Sequence, residues 1–154
     1  MDRRGISPVL GTCLLVVLTV LLVASMGTVM LGSDIRSEPT TLRVSASADA
    51  TADRITLTHE GGDAIDPKTL ELRVTIDGTA LEYQPPVPFF AAKGFRSGPT
   101  GPFNAATGSE WTAGETGSIQ LASTNAPALR ADDRVEITLL EGKDGLVTVE
   151  TTAE

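Results

Sequence analysis

Side chains able to do chemistry lie closest together in the stretch His59-Glu60-Gly61-Gly62-Asp63-Ala64-Ile65-Asp66. One imidazole with three carboxylates is a donor set that could hold a metal ion. The spacing argues against it. His59 is the only histidine, the carboxylates fall at irregular intervals, and Gly61-Gly62-Asp63 reads as a turn between two strands. Asp132-Asp133 reads the same way, and the Gly142–Gly145 stretch lacks the alternating oxygen ligands of a calcium loop. A Ser-His-Asp triad would need His59, and no nucleophile-elbow pattern accompanies it. No glycine-rich phosphate loop follows a strand. The expectation is a protein that is not an enzyme, with no catalytic, cofactor or metal residues.

The elements around these residues read as short strands. After Asp34-Ile35-Arg36-Ser37-Glu38-Pro39-Thr40, a hinge in which Pro39 discourages a helix, alternation of period two takes over. Leu42, Val44 and Ala46 share one face, as do Ile55 and Leu57, and then Leu70, Leu72, Val74 and Ile76. Asp77-Gly78 marks a turn, answered by Leu81 and Tyr83. Ile119 and Leu121, then Val135, Ile137 and Leu139, and finally residues 146–152 complete about seven strands. One apolar face per strand needs a facing sheet. The predicted fold is therefore an apolar N-terminal helix followed by a small antiparallel, Ig-like β-sandwich over 41–154.

Residues 84–117 break the pattern. They are rich in Gly and Pro, and all six aromatic residues (Tyr83, Phe89, Phe90, Phe95, Phe103 and Trp111) lie between 83 and 111. A solvated linker has no need of so many rings. Two readings stand: a long loop that folds over an open end of the sandwich and fills it, or a contact surface for a neighbouring subunit or an adhesive target.

The N-terminus carries a different pattern. Arg3 and Arg4 precede an uncharged run of 29 residues, Gly5 to Ser33. A bilayer core needs about 20 helical residues, whereas a cleaved secretory signal has an apolar region of roughly 7–15. Met and Leu interrupt any clean small-residue cleavage site in Ala24–Ser33. The single cysteine, Cys13, lies before most of the run, which argues against a lipid anchor on it, and it allows no intrachain disulfide. The arginine pair places the N-terminus in the cytoplasm and the remainder outside. Ser25, Thr28 and Gly32 recur at spacings of three and four and form a face that would let helices approach closely.

Arg4-Gly5-Ile6 followed by Ser7-Pro8-Val9-Leu10-Gly11 and a long apolar run resembles the N-terminus of archaeal type IV pilins, those of haloarchaea especially. The resemblance covers about the first 33 residues. It implies a charged leader (1–5) and cleavage by a membrane prepilin peptidase between Gly5 and Ile6. It further implies a transmembrane and filament-core helix (6–33), other pilin subunits and the assembly machinery as partners, and adhesion as the role. Bacterial type IV pilins carry a glutamate at the fifth mature position, where this chain has Leu10. The physical logic is that removing Met1–Gly5 deletes Asp2, Arg3 and Arg4, the charges that hold the segment at the cytoplasmic face. Pro8 then falls in the first helical turn, where a missing N–H is no loss.

Formal net charge is −8, and from Asp34 onward 19 acidic residues face 10 basic ones. Such a surface repels nucleic acid and anionic headgroups. Nine arginines to three lysines, with abundant carboxylates, suit a domain that must stay soluble in concentrated salt, a halophilic signature. The alternative to a pilin is a single-pass membrane-anchored extracellular binding module that does not polymerise. Neither Asn104 nor Asn125 lies in a glycosylation sequon.

Overall fold

The computed structural model describes residues 6–31, 40–107, 110–142 and 144–154, with side chains of the first stretch given for 8–24. The chain divides into two compact units, Met1–Pro39 and Thr40–Glu154.

In the first unit α1 spans Ile6–Leu31, 26 residues. In the isolated chain its described side chains are exposed on every side, Val9, Leu14, Val17 and Leu21 among them. A helix that is apolar all round has no face suited to water. Thr12 and Thr19 donate their hydroxyls to the carbonyls of Val9 and Val16 at 3.0 and 2.8 Å, so these polar groups are satisfied within the helix. Among the described residues no helix is long and apolar enough to cross a membrane.

The second unit is a two-sheet sandwich. Its strands are β1 (Leu42–Asp49), β2 (Arg54–Gly62), β3 (Leu70–Ile76), β4 (Thr79–Ala80), β5 (Thr116–Gln120), β6 (Arg134–Glu141) and β7 (Asp144–Thr152). One sheet has the order β1-β2-β5 and the other β4-β3-β6-β7, with every neighbouring pair antiparallel. The predicted alternation is realised. Ile55, Leu57 and Ile119 of one sheet and Leu72, Val74, Ile76, Val135, Ile137 and Leu139 of the other are buried in one core.

The Ig-like expectation needs correcting at one strand. In the seven-strand immunoglobulin arrangement strands 1-2-5-4 face 3-6-7. Here the fourth strand pairs with the third instead of the fifth. The cause is local: Asp77 and Gly78 both have left-handed φ, 49° and 76°. A two-residue turn of that kind folds a strand straight back on its predecessor. β4 also stops earlier than the Leu81/Tyr83 alternation suggests. Gln84 takes over, its side-chain amide accepting from Val74 N–H at 2.7 Å and donating to Val74 C=O at 3.1 Å. One side chain thus stands in for a strand's peptide group along the edge of β3.

The sandwich closes on one side where Glu154 N–H donates to Ala48 C=O and Ala50 N–H donates to Glu154 C=O. The edge of β5 is covered by the long loop: Arg96 N–H donates to Gln120 C=O and Thr100 N–H to Ser118 C=O. An unpaired edge is a liability for aggregation, and the loop removes this one.

Candidate functional site

His59 lies on the inward face of β2 and is fully buried. Its Nδ1 accepts from Gly61 N–H at 3.2 Å, which leaves Nε2–H to donate to Asp63 C=O at 2.9 Å. Both ring nitrogens are therefore used to hold the Gly61–Asp63 turn. Trp111 meets the imidazole edge-on, with centroids 5.4 Å apart and planes at 88°. Its Nε1–H donates to Glu115 C=O at 3.0 Å. Phe103 adds a third ring, 5.2 Å from Trp111. It lies so close to Gly117 that a Cβ there would fall 2.5 Å from the Phe103 ring.

The three carboxylates of the same stretch diverge. Glu60 accepts from Ser45 Oγ at 2.5 Å, Asp63 from Thr41 N–H at 2.9 Å, and Asp66 from Lys68 N–H at 3.0 Å as the cap of the 3-10 turn Pro67–Thr69. Among the described residues no group of three or more His, Cys, Asp or Glu is placed to hold a metal ion. Asp133 accepts from Arg130 N–H at 2.8 Å, and Asp132 turns the chain with a left-handed φ of 70°.

The rings of the aromatic loop divide by burial. Phe89, Phe95, Phe103 and Trp111 are buried in the core, and Phe89 and Phe95 pack on each other at 5.7 Å. Tyr83 is half-buried, with Lys93 Nζ 4.3 Å from its ring centroid. Phe90 alone of the six is exposed, at 63%. The loop is held by Asn125, which is buried. Its Oδ1 accepts from Tyr83 N–H at 3.1 Å and its Nδ2 donates to Tyr83 C=O at 2.9 Å. Gly94, at φ 85°, passes so near that a Cβ would fall 2.8 Å from Tyr83 Cβ. Sequence periodicity gave no sign of Gln84 or Asn125, since neither lies in a patterned strand.

Where the sandwich begins, Glu141 accepts from two hydroxyls, Thr40 Oγ1 at 3.2 Å and Thr69 Oγ1 at 3.0 Å. Asp63 N–H donates to Thr41 C=O at 2.8 Å beside them. The first residues of the domain are thus anchored to the turn after β2 and to the end of β6.

Of the processing positions, Arg4 and Gly5 lie outside the described residues, and Ile6 is the first residue of α1. Ser25 and Thr28 lie on the α1 backbone, while Gly32 and hinge residues 34–39 lie outside the described residues.

Comparison with known proteins bears on this N-terminal region. Residues 4–45 match the family described as archaeal type IV pilin, N-terminal. The match includes the proposed cut, all of α1 and the first half of β1. An uncharacterized protein of Archaeoglobus fulgidus is 33% identical over 76 residues, which is 48% of this chain and 54% of that protein. The chain thus spans about half the length of this curated relative.

Proposed function

We propose that the chain is a structural subunit of an archaeal type IV pilus-like surface filament. In this reading a prepilin peptidase cuts between Gly5 and Ile6, and the apolar helix then packs with copies of itself while the sandwich decorates the exterior. The observation that carries it is the match of residues 4–45 to the archaeal pilin N-terminus, coinciding with a helix that is apolar on all sides. The uncharged run of the sequence, Gly5 to Ser33, has 29 residues, enough for about 43 Å of helix. The precursor is a single-pass membrane protein with a cytoplasmic N-terminus, and the mature chain lies at the cell surface. Lipid and a filament core are both water-free, and a helix satisfies its backbone groups in either. The back-bonded hydroxyls of Thr12 and Thr19 support the same reading. Adhesion is the role proposed for the filament, with other pilin subunits and the assembly machinery as partners and no cofactor.

The test is to purify surface filaments and determine the N-terminus of this chain by mass spectrometry. The expected chain begins at Ile6. A chain that keeps Met1–Gly5, or one found only as a dissolved domain starting past Ser33, overturns the proposal; the first result favours the anchored, non-polymerising module.

A further inference from the structure

We propose that the outer face of the β1-β2-β5 sheet is a self-association surface that takes the same face of a second copy, with its strands reversed. The inference rests on the filament reading, because it supplies contacts between neighbouring filaments.

Three observations carry it. Strand register places two rows of three hydroxyl residues across this face, Ser47–Thr56–Ser118 and Ser45–Thr58–Thr116; Ser118 is buried with its hydroxyl bonded to Thr100 Oγ1 at 2.7 Å, and the other five are open. Their neighbours along the strands, Ala46, Leu57 and Gly117, point to the core side, so the six positions are contiguous and none carries a charge. Second, Ser47, Thr56, Thr58 and Thr116 make no side-chain hydrogen bond to another described residue. The other sheet's outer face differs: Glu71 pairs with Arg73 at 2.8 Å, Arg134 with Glu150, and Thr138 with Thr148 at 3.2 Å. Third, on β1 and β2 charge returns only at the two ends of the hydroxyl rows, and each end sets opposite signs side by side. Asp49 stands opposite Arg54 at one end, and Arg43 lies beside Glu60 at the other.

Two copies of formal charge −8 repel each other over most of their surfaces. An uncharged patch whose β1 and β2 ends carry opposite signs is where they can meet. A two-fold axis crossing the strands between Thr56 and Thr58 lays Arg54 of one copy against Glu60 of the other, and Asp49 against Arg43. An axis along β2 would instead set Glu60 on Glu60. The charge pattern therefore selects the reversed orientation, an isologous contact.

Size sets the strength. Three strands about 4.8 Å apart and about 20 Å long give roughly 300 Å² a side, against about 800 Å² per partner in stable complexes. One pair is weak, and only rows of copies bind firmly. Salt shortens the reach of the overall repulsion, to about 3 Å at 1 M from about 8 Å at 0.15 M. Association should therefore strengthen with salt.

The experiment uses the full chain reconstituted in lipid vesicles, with clustering read by light scattering at both salt levels, and filaments from cells viewed by electron microscopy. Wild-type vesicles are expected to cluster at high salt. Glu60→Arg alone and Arg54→Glu alone are expected to abolish clustering, and mixing vesicles of the two variants to restore it, since each then meets its complement. Thr58→Glu abolishes clustering, whereas Thr138→Glu on the other sheet leaves it intact; unchanged Trp111 fluorescence shows that each variant is folded. Single variants that cluster like wild type, or a mixture that stays dispersed, overturn the inference. Vesicle rescue without any filaments retains this surface and removes the pilin reading. Filaments without rescue do the reverse.

Discussion

The imidazole of His59 and the indole of Trp111 meet edge to face at 5.4 Å, and each ring fixes a separate piece of backbone, Gly61 to Asp63 for one and Glu115 for the other. The most reactive-looking side chain of the sequence is thus employed as a brace at the junction of β2, the aromatic loop and the segment entering β5. Trp111→Ala should cost about 3–5 kcal/mol, as for other buried large-to-small changes. His59→Leu leaves the Asp63 carbonyl and the Gly61 N–H without the ring and should cost about 1–3 kcal/mol. Denaturant unfolding followed by far-UV circular dichroism measures both. A His59→Leu chain as stable as wild type would show that the brace is dispensable.

Gln84 is expected to matter more than its place in an unpatterned loop suggests. Gln84→Ala removes the acceptor of Val74 N–H, one of two donors to Val74 C=O (Leu81 N–H stays at 3.1 Å), and the donor to Leu81 C=O, which lies 3.2 Å away. The expected loss is about 1–3 kcal/mol. Gln84→Glu should be worse, because a carboxylate faces two carbonyls without a donor. Faster hydrogen exchange of the Val74 amide, with little change at Ile137, is the local signature.

Gly101 is a backbone requirement. Its φ is 60°, and a Cβ would lie 2.1 Å from Thr116 C=O. Gly101→Ala should therefore push the 3-10 turn Gly101–Phe103 off β5. The left-handed φ alone adds about 1–3 kcal/mol of strain. Gly78→Ala provides the contrast, since a Cβ there meets nothing within 4 Å. Equal melting temperatures for the two variants would refute the close approach.

Two exposed carboxylates make the domain sensitive to acid. The Thr51 hydroxyl, followed by the Ala52 N–H, holds Asp49 below the usual carboxylate range. The Thr112 N–H and then its hydroxyl do the same for Glu115. A folded-state pKa below the unfolded value gives stability that is present in full above the unfolded pKa and is lost as pH falls through the folded one. The loss should thus begin below about pH 4. The double variant Asp49→Asn, Glu115→Gln should flatten the fall of melting temperature between about pH 4 and pH 2. An unchanged slope counts against these caps.

Much of this protein was legible in one dimension, because the signals are local. The uncharged run from Gly5 to Ser33 marks a helix by its composition, and the two-residue alternation in Leu70–Ile76 and Arg134–Glu141 marks strands with one buried face. Asp77-Gly78 marks its hairpin because few residue pairs accept two left-handed φ angles. Tertiary structure alone decided the rest, because it depends on pairings between distant residues. Nothing in periodicity says that β4 joins β3 instead of β5, that Gln84 imitates a peptide beside Val74, or that Asn125 holds Tyr83 across 42 positions of sequence. Nor can composition assign rings: Trp111 and Phe90 belong to the same unpatterned loop, yet one is 0% exposed and the other 63%. The two hydroxyl rows, too, exist only once register brings Ser45 and Ser47 beside Thr58 and Thr56.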